Sequence, residues 1–296
     1  MDERSVRYTL GALWILDGLL QLQPLMFTMS MIAAVLVPVQ SGEPRWVIDL
    51  IGFVINLGTR HLYVFNFSIA AVQIGVGLAV ILAGTSLWPY LASFAWSLAI
   101  WVAGQAFGSL MGGQTTLWQG APGSAVLYAL VTWAAWPRPD PRRRIWITRS
   151  LSAIWALGAL LQLQPAFFTT NALSQAILQN TGGQPVWLQW LLNASGGVIA
   201  AHPVFWTIAL AVFEAAIAIG IWFPRTRRAG LAVSVLGAAA AWVLGQTFGM
   251  FFTWMATDPN SAPLLGILAA YCWPRRPARA GDRPVATGGG QCQGAA

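Results

Sequence analysis

A block of sequence recurs at a fixed offset of 141 residues, and that offset restricts the chain to a fold built from two like halves. Leu20-Gln21-Leu22-Gln23-Pro24 returns as Leu161-Gln162-Leu163-Gln164-Pro165. Trp101-x-x-Gly104-Gln105-x-Phe107-Gly108 returns as Trp242-x-x-Gly245-Gln246-x-Phe248-Gly249. The two histidines, His61 and His202, keep the same separation, as do Trp14 and Trp155, Pro44 and Pro185, and Pro122 and Pro263. A constant offset across polar, aromatic and glycine positions predicts duplication without net insertion between these landmarks. The expected units are residues 1–140, residues 141–274 and a tail, 275–296, whose Gly-rich composition predicts disorder.

The halves must suit a membrane. The chain is 57% hydrophobic and 8% charged, against about 25% charged residues in ordinary soluble domains. Several apolar segments approach the ~20 residues that span the hydrocarbon core, and tryptophans gather near their ends. The net charge of +7 is carried by 16 arginines and no lysine. They fall in short clusters between apolar segments: Arg4 and Arg7, the run from Arg138 to Arg149, the trio Arg225, Arg227 and Arg228, and the tail. This is the pattern of positive cytoplasmic loops, and it argues against nucleic-acid binding. Cys272 and Cys292 form no CxxC and support neither a disulfide nor a metal site. The mixed-charge N-terminus without a small-residue cleavage site reads as an uncleaved first helix.

Each half divides alike. A long helix is expected over 8–37 and 149–178, and a short interfacial or re-entrant piece over 46–58 and 187–200. Further helices are expected over 61–83 and 202–223, over 88–108 and 229–249, and over 122–136 and 262–273. Four crossings per half, eight in all, put 14 of the 16 arginines and both termini in the cytoplasm. The repeats would then be parallel about an axis along the membrane normal.

Polar residues at membrane depth are the candidate site residues. Gln21 and Gln162 sit beside Pro24 and Pro165, where a proline within a helix would free the carbonyls of Leu20 and Leu161. Asp17 shares a face with Gln21, and its counterpart at the 141-residue offset is Gly158. Glu214, whose counterpart is Gln73, is the second intramembrane carboxyl. Such groups are costly in lipid, and both are candidates for proton exchange. His61 and His202 open the second long helices, where each reads either as an interfacial cap or as a ligand to a metal or haem. Trp101, Gln105, Trp242 and Gln246 share a face with the last glycine of each GxxxG, a spacing that lets helices approach closely. No Walker A sequence, GxSxG, HExxH or arginine ladder is present, so ATP-driven transport, proteolysis and voltage sensing have no support.

The pattern LQLQPxxF, GxPxW, a histidine opening the second helix and GQxFG occurs in both halves. It resembles the DoxX/DoxD-like group of bacterial membrane proteins. The resemblance implies an inner-membrane protein beside quinone-linked or sulfur redox chemistry, at most an oxidoreductase-associated subunit with redox partner proteins. No residue role carries over, because this chain is a fused duplication and lacks a lysine near the first helix. The expectation is an all-α membrane protein binding a small hydrophobic or redox-active ligand in an outward-facing cavity between the repeats. A quinone, a haem or a metal ion would suit the histidines. A secondary transporter and a non-catalytic assembly subunit are the alternatives.

Overall fold

The computed structural model describes residues 1–274 and is all-helical, with no strand among the described residues. The expected disordered tail, 275–296, lies outside them. In the first half α1 is Glu3–Leu20, α2 Arg45–Arg60, α3 Leu62–Leu82, α4 Trp88–Ala103 and α5 Ser124–Ala134. In the second, α6 is Arg143–Leu161, α7 Val186–Ala201, α8 Pro203–Trp222, α9 Arg227–Leu244 and α10 Ser261–Cys272. Three helical stretches, Leu62–Leu82, Pro203–Trp222 and Arg227–Thr253, are long and apolar enough to cross a membrane.

The long first helix expected over 8–37 stops at Leu20, and its counterpart over 149–178 stops at Leu161. Proline disfavours the helical conformation in the residue before it, and Gln23 is extended, with ψ 144°. The carbonyls of Leu20 and Leu161 are not left open. They accept from the amides of Gln23 at 3.2 Å and Gln164 at 3.4 Å, which closes each helix in a tight last turn. Beyond the break the chain proceeds in short helical turns.

The helices expected to reach 108 and 249 also end early, at Ala103 and Leu244. Phe107 and Gly108 then take φ of 58° and 70°, and Phe248 and Gly249 take 57° and 67°. The second glycine of each GxxxG therefore sits in a left-handed turn and not on a helix face. A Cβ on Gly108 would overlap the Pro122 carbonyl.

The helices α1 and α3 pack together, as do α6 and α8, and α5 lies against α10 between these pairs. Trp14 of α1 donates to Ser93 Oγ of α4 at 2.9 Å, and Trp155 of α6 donates to Ser234 Oγ of α9 at 2.8 Å. Both indoles belong to one buried apolar cluster that also contains Leu127 and Leu264. The basic clusters that fall within the described residues share one end of the bundle. Arg7 donates to the Gly84 carbonyl, Arg143 pairs with Glu3 at 3.3 Å, and Arg149 stacks 5.7 Å from the Trp222 ring. The Met1 ammonium reaches the Ala270 carbonyl at that end.

Candidate functional site

The WxxGQxFG motif is a latch between consecutive segments. Trp101 donates its indole N–H to the Pro122 carbonyl at 2.7 Å. Gln105 donates to Ser124 Oγ at 2.7 Å and accepts from the Ala125 amide at 3.1 Å. It thereby satisfies an amide left open at the start of α5. Trp242 repeats the first contact with the Pro259 carbonyl at 2.8 Å, and Gln246 repeats the others with Ser261 Oγ and the Ala262 amide, both at 3.0 Å. These four candidate site residues are thus largely occupied in holding the backbone.

These paired contacts correct the offset. Pro122 corresponds in contact to Pro259 and Ser124 to Ser261, a separation of 137, so the equivalence of Pro122 with Pro263 fails. The segment between the latch glycine and the latch serine is residues 109–123 in the first half and 250–260 in the second, which is four residues shorter.

That difference bears on a cavity of about 360 Å³ in the first half. Its walls come from α1, α3, α4 and α5, the turns after Pro24, and α2. Residues 257–258 of the shorter segment cross over from the second half to close one side. The lining is mainly apolar, and its rim includes exposed Leu57 and Ala99. Deep inside stand Asp17, Gln21 and Gln73, none more than 4% exposed, with Trp96 and Tyr128 beside them. Asp17 Oδ1, Gln21 Oε1, Gln73 Oε1, Trp96 Nε1 and the Tyr128 hydroxyl have no hydrogen-bond partner in the protein. The Asp17 carboxyl and the Tyr128 hydroxyl face one another without closing a hydrogen bond. Each orphaned buried group costs about 1–3 kcal/mol; five such atoms also surround Glu214, but only the five around Asp17 border a space in which a ligand's polar atoms could meet them.

In the second half a cavity of about 320 Å³ repeats the apolar walls at the 141-residue offset, but the carboxyl of that half does not line it. Glu214 of α8 lies against α6, where a Cβ on Gly158 would come 3.0 Å from Glu214 Oε2 and from Leu117 Cβ. Leu117 and Trp118 belong to the longer segment of the first half, which reaches across and covers this carboxyl. Trp118 and Gln162 face Glu214 without closing hydrogen bonds. The tryptophan of the shorter segment, Trp254, points outward and is 65% exposed. Each helix pair thus holds one carboxyl, from α1 in the first half and from α8 in the second. The longer segment buries one, and the shorter leaves the other facing a cavity.

The structure brings Asp17, Gln21 and Gln105 together at the cavity and leaves other candidates apart from it. Gln162 and Glu214 are sealed in the second half. Trp101 and Trp242 serve the latch. His61 and His202 are exposed at the junctions of α2 with α3 and of α7 with α8. Neither imidazole lines the cavity. Among the described residues no group of three His, Cys, Asp or Glu side chains could hold a metal. Two wall residues, Trp96 and Tyr128, carry no repeat signal, and Ser124 carries one only at the 137-residue separation. Gln73 is marked differently, standing seven residues after Asn66 on a single face of a mainly apolar helix. Both are buried, and Asn66 donates to the Gln21 carbonyl at 2.5 Å. No known protein family, curated protein or solved structure matches this chain.

Proposed function

We propose that this is a multi-pass protein of the bacterial inner membrane that binds a small hydrophobic ligand in the cavity of its first half. In this reading it is two parallel repeats with eight crossings and both termini in the cytoplasm. The gathering of Arg7, Arg143, Arg149 and Met1 at one end of the bundle supports an even number of crossings per half. The helices α5 and α10 have 11 and 12 residues, about 16–18 Å at 1.5 Å per residue. Buried, non-helical chain such as residues 115–116 and 120–123 continues the crossing, as irregular backbone can where protein shields it from lipid.

The observation that carries the functional reading is the set of orphaned polar atoms around Asp17 in an otherwise apolar cavity of ligand size. An apolar rim at Leu57 and Ala99 suits entry from the lipid. The binding place moves from the space between the repeats into the first repeat, and the histidines drop out of it.

Photolabelling in native membrane vesicles with a small hydrophobic diazirine tests the proposal. Tyr128 is buried among protein, so general labelling from lipid does not reach it. The expected result is a label on Tyr128 that disappears in the cavity-filling variant Ala125→Phe. Labelling confined to lipid-facing residues in both proteins would overturn it.

A further inference from the structure

We infer that the cavity is selective for a lipophilic cation, an apolar ammonium compound held between the Asp17 carboxyl and an aromatic wall. The inference rests on the ligand-binding reading above and specifies the ligand class.

The charge of the lining sets the class. Asp17 and Asp258 both border the cavity, and no arginine, lysine or histidine does. Asp258 is held by Ser124 Oγ at 3.1 Å and by the Asn260 amide at 2.5 Å, which occupy its oxygens. Asp17 has no such support, and its Oδ1 is orphaned. A buried carboxyl is accommodated either by a proton or by a counter-charge, and no side chain lining the cavity supplies the counter-charge. An anionic ligand would meet two carboxyls and no cation, which excludes that class.

The wall sets the rest. Trp14, Trp96, Tyr128 and Phe65 line the same space, and an ammonium over aromatic faces gains about 0.5–2 kcal/mol, most where water is excluded. Gln21 and Gln73 turn amide oxygens inward without partners, acceptors that complement a cationic ligand. The remaining apolar lining accommodates a hydrocarbon body. The titratable groups facing Asp17 are Tyr128 from α5 and Asp258 from the segment before α10, while α3 and α4 present only the neutral Gln73 and Trp96. A cation entering beside Asp17 therefore competes with a proton for that carboxyl.

Three probes of similar size test this by titration calorimetry on the full chain in a neutral detergent: benzyltrimethylammonium, its uncharged isostere neopentylbenzene, and phenylacetate. The cation should bind more than tenfold tighter than the isostere at pH 8, and phenylacetate should not bind. Cation affinity should fall up to tenfold per pH unit as Asp17 protonates, and the isostere's should stay flat. In Asp17→Asn the preference should shrink below twofold. Equal binding of cation and isostere, or cation affinity independent of pH in the unmodified protein, would overturn the cation assignment and leave the cavity standing. That pH series decides the matter even where Asp17→Asn does not fold. Identical titrations of the unmodified protein and Ala125→Phe with every probe would overturn the cavity as well.

Discussion

Gly104 and Gly245 occupy the same position in the repeated motif, yet they should respond differently to alanine. A Cβ on Gly104 meets only Ile100 of its own helix, the carbonyl oxygen at 3.1 Å being nearest. Replacing glycine recovers about 0.5–1 kcal/mol of backbone entropy, which offsets that mild contact. Gly104→Ala should therefore stay within about 0.5 kcal/mol of the unmodified protein. A Cβ on Gly245 overlaps the Trp118 carbonyl, a backbone atom of the segment reaching over from the first half. No rotamer relieves that overlap, so the segment must move. Overpacking of this kind costs about 1–3 kcal/mol, and the shift also pulls the Leu117 carbonyl from Gln246. At about 2–4 °C per kcal/mol, Gly245→Ala should melt several degrees below Gly104→Ala. Thermal unfolding of the two purified variants in one detergent reads the difference. Equal melting temperatures would refute the crossing segment and restore a symmetric helix-packing role for both glycines.

The latch, the histidines and one loop carboxyl give further expectations. Gln105→Leu leaves the Ala125 amide unpaired, and it should cost about 1–3 kcal/mol in the same melting assay, with ligand-independent loss of stability. His61→Ala combined with His202→Ala should leave ligand occupancy unchanged and stability within about 0.5 kcal/mol, because both imidazoles are exposed. Burial pushes the Glu43 carboxyl above its ordinary value, with the Gly112 amide offsetting part of the shift. The folded protein then holds this proton at pH values where the unfolded chain has lost it. Stability should decline as pH rises through the Glu43 midpoint, and Glu43→Gln should flatten that decline in melting curves taken from pH 4.5 to 8.

The helical class and the doubling of the motif were legible because Trp, Gln and Gly recur at one spacing, whereas the latch those residues form shows only in their contacts. Helix lengths were overread after Leu20 and Ala103. Apolar composition continues through both breaks, while Pro24 and the left-handed turn at Phe107 end the helices. The constant offset concealed a shortened segment, since Pro122 and Pro263 coincide at 141 although Pro259 makes the equivalent contact. The site was half visible. Asp17 and Gln21 stood out as polar groups in an apolar helix, whereas Tyr128 and Trp96 join them only through tertiary packing. His61 and His202 drew notice by pairing, which here reflects a repeated helix junction.

The central claim is that the first half binds a small ligand at Asp17. Native mass spectrometry of the protein extracted gently from its own membrane tests it most directly, beside Ala125→Phe and the double histidine variant. The account predicts an added mass on the unmodified protein and on the histidine variant, and none on Ala125→Phe. A bound mass that survives cavity filling, or vanishes only with the histidines, would contradict it.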